Sequence, residues 1–282
     1  GADGTRQPAL FFAPPGEEPR PLLVALHTWS SDYLRPTGAP YAEGCIARGW
    51  VFIHPDFRGP NVRPEAAGSE WAIEDVLSAV RYAQRTARID ATRIYLVGAS
   101  GGGHMALLVA ARKPDVWAGV SAWVPVTDLN AWYRECRQRN LAYADQIVRI
   151  AGGDPATNPV AARECERRSP LAYLVAGGGL PVDLNAGIQD GHTGSVPVSH
   201  TLHAFNRLAK EPDRLSEAQV RAFAAEPRVP AGLAEAREDP SYGDRRVLFR
   251  RESGPVRVTI FDGGHEIIHQ AALAWLAAQQ KR

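Results

Sequence analysis

Short apolar runs alternate with segments of helical periodicity along almost the whole chain. Residues 70–86, for example, place apolar side chains at the three- and four-residue spacing of an amphipathic helix. Strands that alternate with helices in this way predict an α/β fold with a doubly wound, mostly parallel sheet. The predicted strands are 5–13, 21–27, 50–54, 94–97, 117–126, 181–188, 247–250 and 256–261.

The alternation weakens between residue 127 and about residue 171. This segment is rich in arginine, contains Trp132, Tyr133 and Tyr143, and is interrupted by glycine and proline at 152–155. We expect a helical insertion that lies over the strand ends as a cap, rather than a separate domain. Residues 1–282 are therefore predicted to form a single domain.

Residues 93–111 read RIYLVGASGGGHMALLVAA, the pattern of a buried strand, a turn of small residues and a buried helix. Ser100 stands at the apex of the turn, within the G-x-S-x-G pattern of a nucleophile elbow. Such a serine needs glycine neighbours because its backbone is strained and side chains beside it would clash with the turn. The alternative is a structural serine in a nucleotide-binding loop. Neither G-x-G-x-x-G nor a G-K-[ST] ending is present, which argues against it.

A serine nucleophile needs a general base, and that base needs a group that orients it. Of the eight histidines, only His265 lies in the glycine-containing loop directly after the last predicted strand. Asp190 ends the preceding major strand in another glycine-containing loop, whereas Asp183 lies inside that strand. We therefore predict that Ser100, Asp190 and His265 form a catalytic triad, with Asp183 as the alternative acid.

Composition argues against several other classes of protein. The formal net charge of +1 gives no electrostatic case for nucleic acid, and no apolar run is long enough to span a membrane. The chain opens GADGT without Met or a signal sequence, so a processed, secreted or periplasmic protein is expected, with a cytoplasmic location as the alternative. Cys136 and Cys165 either pair in an exported protein or, like Cys45, remain buried thiols.

Several motifs together resemble the α/β-hydrolase superfamily, and most of all esterases related to the catalytic domain of prolyl oligopeptidase. The motifs are LHTWS, PDFRGPN, GASGGGHMAL, RSPLAYL, AGIQDGHTGSVP and FDGGH, and they extend over about residues 20–282. The resemblance implies an α/β-hydrolase fold and a serine hydrolase, with Ser100 as nucleophile, Asp190 as acid and His265 as base.

The resemblance also implies an oxyanion hole made by the backbone N–H of Gly101 and that of Trp29 or Thr28. Here the chain departs from the family pattern, because His27-Thr28 replaces the common His-Gly after the early strand. The second donor is therefore left open between Trp29 and Thr28. No propeller sequence precedes the hydrolase motifs, so we expect the size filter of the oligopeptidases to be missing.

Two hypotheses from other classes remain. Residues 265–269 spell H-E-x-x-H, which would place His265 and His269 on one helix face as zinc ligands. No Asp, Glu or His follows His269 to supply the usual third ligand, so we expect neither a metal nor another cofactor. The second hypothesis is a hydrolase-fold binding protein without turnover, which the complete set of triad residues disfavours.

Acyl-enzyme chemistry suits esters and peptides alike, so the substrate must be chosen by the binding cleft. Trp29, Trp123 and Trp132 would offer flat platforms for sugar rings or phenolic acyl groups, and Arg58 would add polar contacts. We expect a small-molecule or oligosaccharide ester as substrate, with acetyl or feruloyl carbohydrate esters foremost. A prolyl oligopeptidase-like peptidase is the alternative, and the oligomeric state is left open.

Overall fold

The computed structural model describes residues 1, 3–233 and 237–281. Eight strands in this part of the chain form one sheet. The strands are β1 Ala9–Phe12, β2 Arg20–Leu26, β3 Val51–Pro55, β4 Ile89–Ala99, β5 Gly119–Trp123, β6 Val182–Gly187, β7 Val247–Ser253 and β8 Val256–Phe261.

The strand order across the sheet is β1-β3-β2-β4-β5-β6-β8-β7. Neighbouring strands from β3 to β8 in this order are parallel, whereas β1 and β7 pair antiparallel at the two edges. The doubly wound, mostly parallel sheet is thus confirmed. Because β4, β6 and β8 are parallel, their carboxyl ends meet at one edge of the sheet, and the loops that carry Ser100, Asp190 and His265 follow there.

Helices cover both faces of the sheet, as apolar strands buried on both sides require. In β2, Leu22 and Val24 pack with the helices Glu70–Thr86 and Gly101–Arg112, whereas Leu23 points to the opposite face. The helices in the described residues are α1 Ala39–Arg48, α2 Glu70–Thr86, α3 Gly101–Arg112, α4 Leu129–Gln138, α5 Tyr143–Ala151, α6 Pro159–Arg167, α7 Val198–Leu208, α8 Glu217–Ala225 and α9 His269–Ala277.

The segment between β5 and β6 contains helices α4, α5 and α6. Side-chain oxygens of Asp128 and Asn158 accept hydrogen bonds from the first turns of α4 and α6, which explains why these two helices begin there. The three helices share an apolar cluster that also contains Trp29 and Val196. The insertion is therefore packed against the loops at the carboxyl edge of the sheet.

Several element boundaries differ from the predicted ones, and β1 and β5 are shorter than predicted. Strand β4 begins at Ile89 rather than residue 94, because its first residues are polar and partly exposed and so lack an apolar run. Helix α9 begins at His269, and the preceding residues of the H-E-x-x-H sequence are not helical.

All three cysteines are buried as free thiols, so Cys136 and Cys165 are not disulfide-bonded in this structure. Burial raises the pKa of each thiol to about 12, which makes them poorly reactive. Within the part of the chain that the structure describes, every helix is too short or too polar to cross a membrane.

Candidate active site

Ser100 occupies the sharp turn between β4 and α3. Its backbone has φ 55° and ψ −119°, a conformation that is strained for a residue with a side chain. The Ser100 N–H donates to the carbonyl of Trp123 at 2.8 Å, and its carbonyl accepts from His104 N–H at 2.8 Å. The surrounding backbone therefore holds the strained turn from both sides, as a nucleophile elbow requires.

Close backbone contacts explain the glycines around Ser100. A Cβ on Gly98 would lie 2.3 Å from the carbonyl oxygen of Gly102. A Cβ on Gly101 would lie 2.5 Å from both N and Cα of Trp29. Any larger residue at Gly98 or Gly101 would push the turn apart, and the backbone of Trp29 is packed directly against the elbow.

His265 and Asp190 lie in the loops that follow β8 and β6. The His265 Nδ1 is 2.8 Å from Asp190 Oδ2, and the other carboxylate oxygen accepts from the N–H groups of Gly191 at 3.0 Å and Val196 at 3.3 Å. Asp190 is buried, whereas the imidazole is 24% exposed. A carboxylate at Nδ1 selects the tautomer whose Nε2 is unprotonated, so Nε2 can accept a proton from a nucleophile.

The alternative acid, Asp183, belongs to a separate buried network. Its carboxylate accepts from Arg257 Nε at 2.8 Å, Ser121 Oγ at 3.0 Å and Asn185 Nδ2 at 2.8 Å. The structure therefore brings Asp190, and not Asp183, to His265.

Ser100 and His265 line one open pocket of about 220 Å³. No hydrogen bond joins their side chains within residues 1, 3–233 and 237–281, and in enzymes without substrate this bond is often long. The pocket is lined by Thr28, Trp29, Ser30, Ala99, Ser100, Val124, Tyr143, His265, Glu266 and Ile267.

Backbone groups near Ser100 are placed to receive a developing negative charge. Gly101 is the first residue of α3, so its N–H has no acceptor within the helix and lies at the positive end of the helix dipole. Trp29 contacts Gly101 through its backbone, whereas Thr28 lies one residue earlier, and its carbonyl oxygen accepts from Ser31 N–H. The geometry favours Trp29 over Thr28 as the second donor.

The imidazole of His27 supports this loop from behind. It stacks on Phe57 at 3.9 Å between ring centroids, and its Nε2 lies 2.7 Å from the carbonyl oxygen of Asp56. Burial lowers the pKa of His27, so the ring is neutral near pH 7. Because His27 is fully buried and does not line the pocket, it acts in the packing of the loop and not as a base.

The structure corrects three of the four predicted substrate-binding residues. Trp29 lines the pocket, but Trp132 is fully buried behind it and donates its indole N–H to the carbonyl of Ser195. Trp123 is fully buried in the core against Tyr242.

Arg58 also fails as a substrate contact. Its guanidinium is 2.5 Å from Asp75 and 2.7 Å from Asp3, and the residue is only 6% exposed. Because both carboxylates already neutralise it and it is absent from the residues lining the pocket, Arg58 holds the loop after β3 against α2.

Sequence reasoning missed several residues of the pocket. Tyr143 on α5 and Ile267 after His265 line it, and Val124 does so with a φ of 42°, unusual for a β-branched residue. Glu266 also lines it and is paired with Arg245 at 2.9 Å. The position of Val124 directly after an apolar strand was the available signal, whereas Tyr143 gave none beyond its place in the insertion.

The residues of the H-E-x-x-H sequence do not share a helix face. His265 lies before α9 with Nδ1 engaged by Asp190, whereas His269 opens the helix with its ring 4.6 Å from that of Tyr41. A zincin-type arrangement needs both imidazoles on one helix. The residues here are therefore not arranged for the zinc alternative.

A second group of hydroxyl, imidazole and carboxylate lies in the interior. His200 Nε2 is 2.9 Å from Glu135 Oε2, and Thr127 N–H donates to His200 Nδ1 at 3.1 Å. The Thr127 hydroxyl donates to the carbonyl of His200, and both Thr127 and His200 are buried. The group therefore joins α4 to α7 and cannot meet a substrate.

The family follows from a comparison with known sequences. A model of the prolyl oligopeptidase family matches residues 45–224, which is more than half of the chain. The chain belongs to the prolyl oligopeptidase family. The matched range includes Ser100 and Asp190, and His265 follows it. Membership confirms the resemblance expected from the motifs and makes the chain a serine hydrolase of the α/β-hydrolase fold.

Individual relatives of this prolyl oligopeptidase family member share less than a third of its sequence. A non-reducing polyketide synthase of Acremonium egyptiacum is 29% identical in an alignment of 182 positions that covers 56% of this chain and 8% of that protein. An acylaminoacyl peptidase of Pyrococcus horikoshii is 16% identical with a TM-score of 0.56, over 73% of this chain and 33% of that one. The chain thus spans only a small part of either protein.

One solved structure matches the family member over nearly its full length. The acetyl xylan esterase from Paenibacillus sp. R4 is 18% identical with a TM-score of 0.64, over 99% of this chain and 81% of that one. At such low identity, this structure and that of the peptidase support the fold alone.

Proposed function

We propose that the chain hydrolyses carboxylic esters through an acyl-enzyme formed on Ser100, with acetyl or feruloyl esters of carbohydrates as substrates. The observation that carries the catalytic assignment is the 2.8 Å contact between His265 Nδ1 and Asp190, beside a pocket that His265 shares with Ser100.

The proposed reaction uses each group in a separate role. Ser100 Oγ attacks the ester carbonyl while His265 Nε2 takes its proton, and Asp190 stabilises the imidazolium that forms. The N–H groups of Gly101 and Trp29 donate to the oxyanion. Collapse of the intermediate expels the alcohol, which takes the proton from His265. Water then repeats the attack on the acyl-enzyme and releases the acid.

Features of the pocket support an ester rather than an aminoacyl substrate. Tyr143 lines the pocket with a partly exposed ring, which supplies aromatic surface for a sugar ring or a phenolic acyl group. Glu266 is the one acidic side chain among the described lining residues other than the triad, and Arg245 already pairs with it. An exopeptidase would need such a carboxylate free to bind a charged amino terminus. The acetyl xylan esterase whose fold matches nearly the whole of this chain is an example of the same fold in an enzyme named for such a substrate.

A fluorophosphonate probe tests the catalytic assignment without choosing a substrate. The wild-type protein should be labelled at Ser100, and Ser100→Ala should lose both labelling and ester hydrolysis. Thr127→Val, which removes the hydroxyl of the interior group, should be labelled like the wild type. Treatment with a chelator should leave the rate unchanged. Undiminished labelling of Ser100→Ala would refute the assignment.

A further inference from the structure

The side chain of Trp29 is fixed by a residue of the insertion. The indole is only 2% exposed, and its N–H donates to Gln146 Oε1 at 2.8 Å. A buried indole N–H needs an acceptor, because an unsatisfied donor is costly in a low-dielectric interior. Gln146 lies on α5, so this hydrogen bond connects the insertion with the loop that follows β2.

The backbone of the same tryptophan belongs to the catalytic centre. Its N and Cα lie 2.5 Å from the position that a Cβ on Gly101 would occupy. Its carbonyl accepts from Asn61 N–H at 2.8 Å, and its own N–H donates to no protein group within the described ranges. The N–H is therefore available to an oxyanion, and its direction depends on how the rest of Trp29 is held.

Aromatic packing alone does not fully fix the position of the Trp29 indole. Trp132 packs against the Trp29 ring at 4.8 Å in an edge-to-face arrangement, and Tyr143 packs on Trp132 at 5.0 Å. Aromatic contacts of this kind are weakly directional, so they hold the tilt of the ring more firmly than its position within its own plane. The hydrogen bond to Gln146 fixes the position of the ring in that plane.

We propose that Gln146 is a positioning residue for catalysis, which aims the Trp29 backbone N–H at the oxyanion by accepting the Trp29 indole N–H. The inference deepens the proposed function and rests on it, because it needs Ser100 as the nucleophile. Gln146 itself does not contact the pocket, so its effect passes through Trp29.

The rate of fluorophosphonate labelling measures this role directly, because phosphonylation also places negative charge on an oxygen in the oxyanion hole. Gln146→Leu removes the acceptor and should slow labelling about 10- to 100-fold. Gln146→Glu retains an acceptor oxygen and should stay within about threefold of the wild type. Gln138→Leu makes the same change on the exposed end of α4 and should have no effect.

A double-mutant cycle separates positioning from a general loss of structure. Trp29→Phe removes the indole N–H, so adding Gln146→Leu to it should change the labelling rate less than twofold. With an ester substrate, Gln146→Leu should lower kcat and leave KM within about twofold, because the oxyanion forms after binding. It should also weaken inhibition by phenylboronic acid, whose adduct with the serine mimics the tetrahedral intermediate.

The outcomes distinguish the two proposals. Equal labelling of the wild type and Gln146→Leu, or equal slowing by Gln146→Leu and Gln146→Glu, overturns the positioning role alone. Full additivity in the Trp29→Phe background overturns it as well, and Gln146→Met, which also lacks an acceptor oxygen, takes the place of the leucine variant in the cycle if that variant fails to fold. Absence of labelling in the wild type overturns the proposed function instead.

Discussion

The carboxylate of Asp190 has a partner for each oxygen and little contact with water. One oxygen faces His265, and the other accepts two backbone N–H groups from the loop that begins at Gly191. Asp183 is equally buried, but its main partner is the guanidinium of Arg257. Asp183 in β6 and Asp190 in the loop that follows therefore differ in their expected roles, because their neighbours differ.

Replacing each aspartate should separate these tasks. Asp190→Asn should lower kcat by about 10⁴-fold with little loss of stability, because an amide no longer selects the required imidazole tautomer. Asp183→Asn should instead lower the free energy of unfolding by about 3–5 kcal/mol, because it leaves Arg257 without its buried counter-charge. Steady-state kinetics and urea unfolding of both variants check this. A near-normal kcat for Asp190→Asn would reverse the assignment.

The small size of Gly194 leaves room for the contact between Asp190 and His265. An added Cβ would lie 2.2 Å from Asp190 Oδ1 and 2.6 Å from His265 Cβ. Gly194→Ala should therefore displace the pair and lower kcat about 10- to 100-fold. Gly178→Ala is the matched control, because an added Cβ there meets no atom within 4 Å. Equal kcat values for the two variants would contradict the close packing.

At the scale of elements, the insertion is joined to the core by directed polar contacts as well as by apolar packing. Glu135 on α4 accepts from His200 on α7, and Arg139 donates to the carbonyl of Gly194. Burial opposes ionisation of Glu135, but the His200 hydrogen bond and the nearby charges outweigh it and hold the pKa of Glu135 below its usual value. The ionised carboxylate therefore stabilises the fold.

This contact predicts a pH dependence of stability. The pKa of Glu135 is lower in the folded protein than in the unfolded chain, where it is about 4.3, so the ionised carboxylate stabilises the fold above that pH. This stabilisation is lost as the pH falls through the pKa of the folded state. Glu135→Gln should lower the free energy of unfolding by about 1 kcal/mol at pH 7, and the difference should shrink near pH 3. Urea unfolding at both pH values measures it. Glu226→Gln, in an exposed pair, is the control and should differ little from the wild type.

The elements that the sequence predicts well are those with a local signal. The apolar run of β4 and the small residues after it predicted the elbow at Ser100, because strand, turn and helix are all encoded within residues 93–111. The loops of Asp190 and His265 were predictable for a related reason. Parallel strands bring their carboxyl ends to one edge, so the residue after each strand is placed by the fold.

The substrate contacts were harder to predict because they depend on distant pairing. Trp123 and Trp29 both follow or end apolar strands, yet only Trp29 faces the pocket. Arg58 lies in a polar loop typical of binding sites, but its guanidinium forms an ion pair with Asp75 on α2 instead. Nothing local in the sequence shows which face of a loop a helix will cover, so exposure of these side chains needed the three-dimensional structure.

For the whole molecule, the fold brings three separately encoded parts to one edge of the sheet. The elbow supplies Ser100 as the proposed nucleophile, the loops after β6 and β8 supply the proposed acid and base, and α5 of the insertion supplies Tyr143. The insertion forms part of the pocket wall through Tyr143, so the shape of the cleft depends in part on a segment outside the strand-and-helix alternation. We therefore expect the insertion and the loops that line the pocket, rather than the proposed triad, to determine which substrate binds.

Specificity constants over a panel of substrates test the proposed class. The pocket of about 220 Å³, with the partly exposed ring of Tyr143 in its wall, should accept an acetyl or a feruloyl group, and Glu266 is neutralised by Arg245. We expect kcat/KM at least about tenfold higher for acetylated xylan, acetylated sugars or methyl ferulate than for aminoacyl amides, a difference of about 1.4 kcal/mol in activation free energy. Short nitrophenyl esters report intrinsic reactivity, and Ser100→Ala supplies the background rate. A higher kcat/KM on an aminoacyl amide than on every ester would make the chain a peptidase.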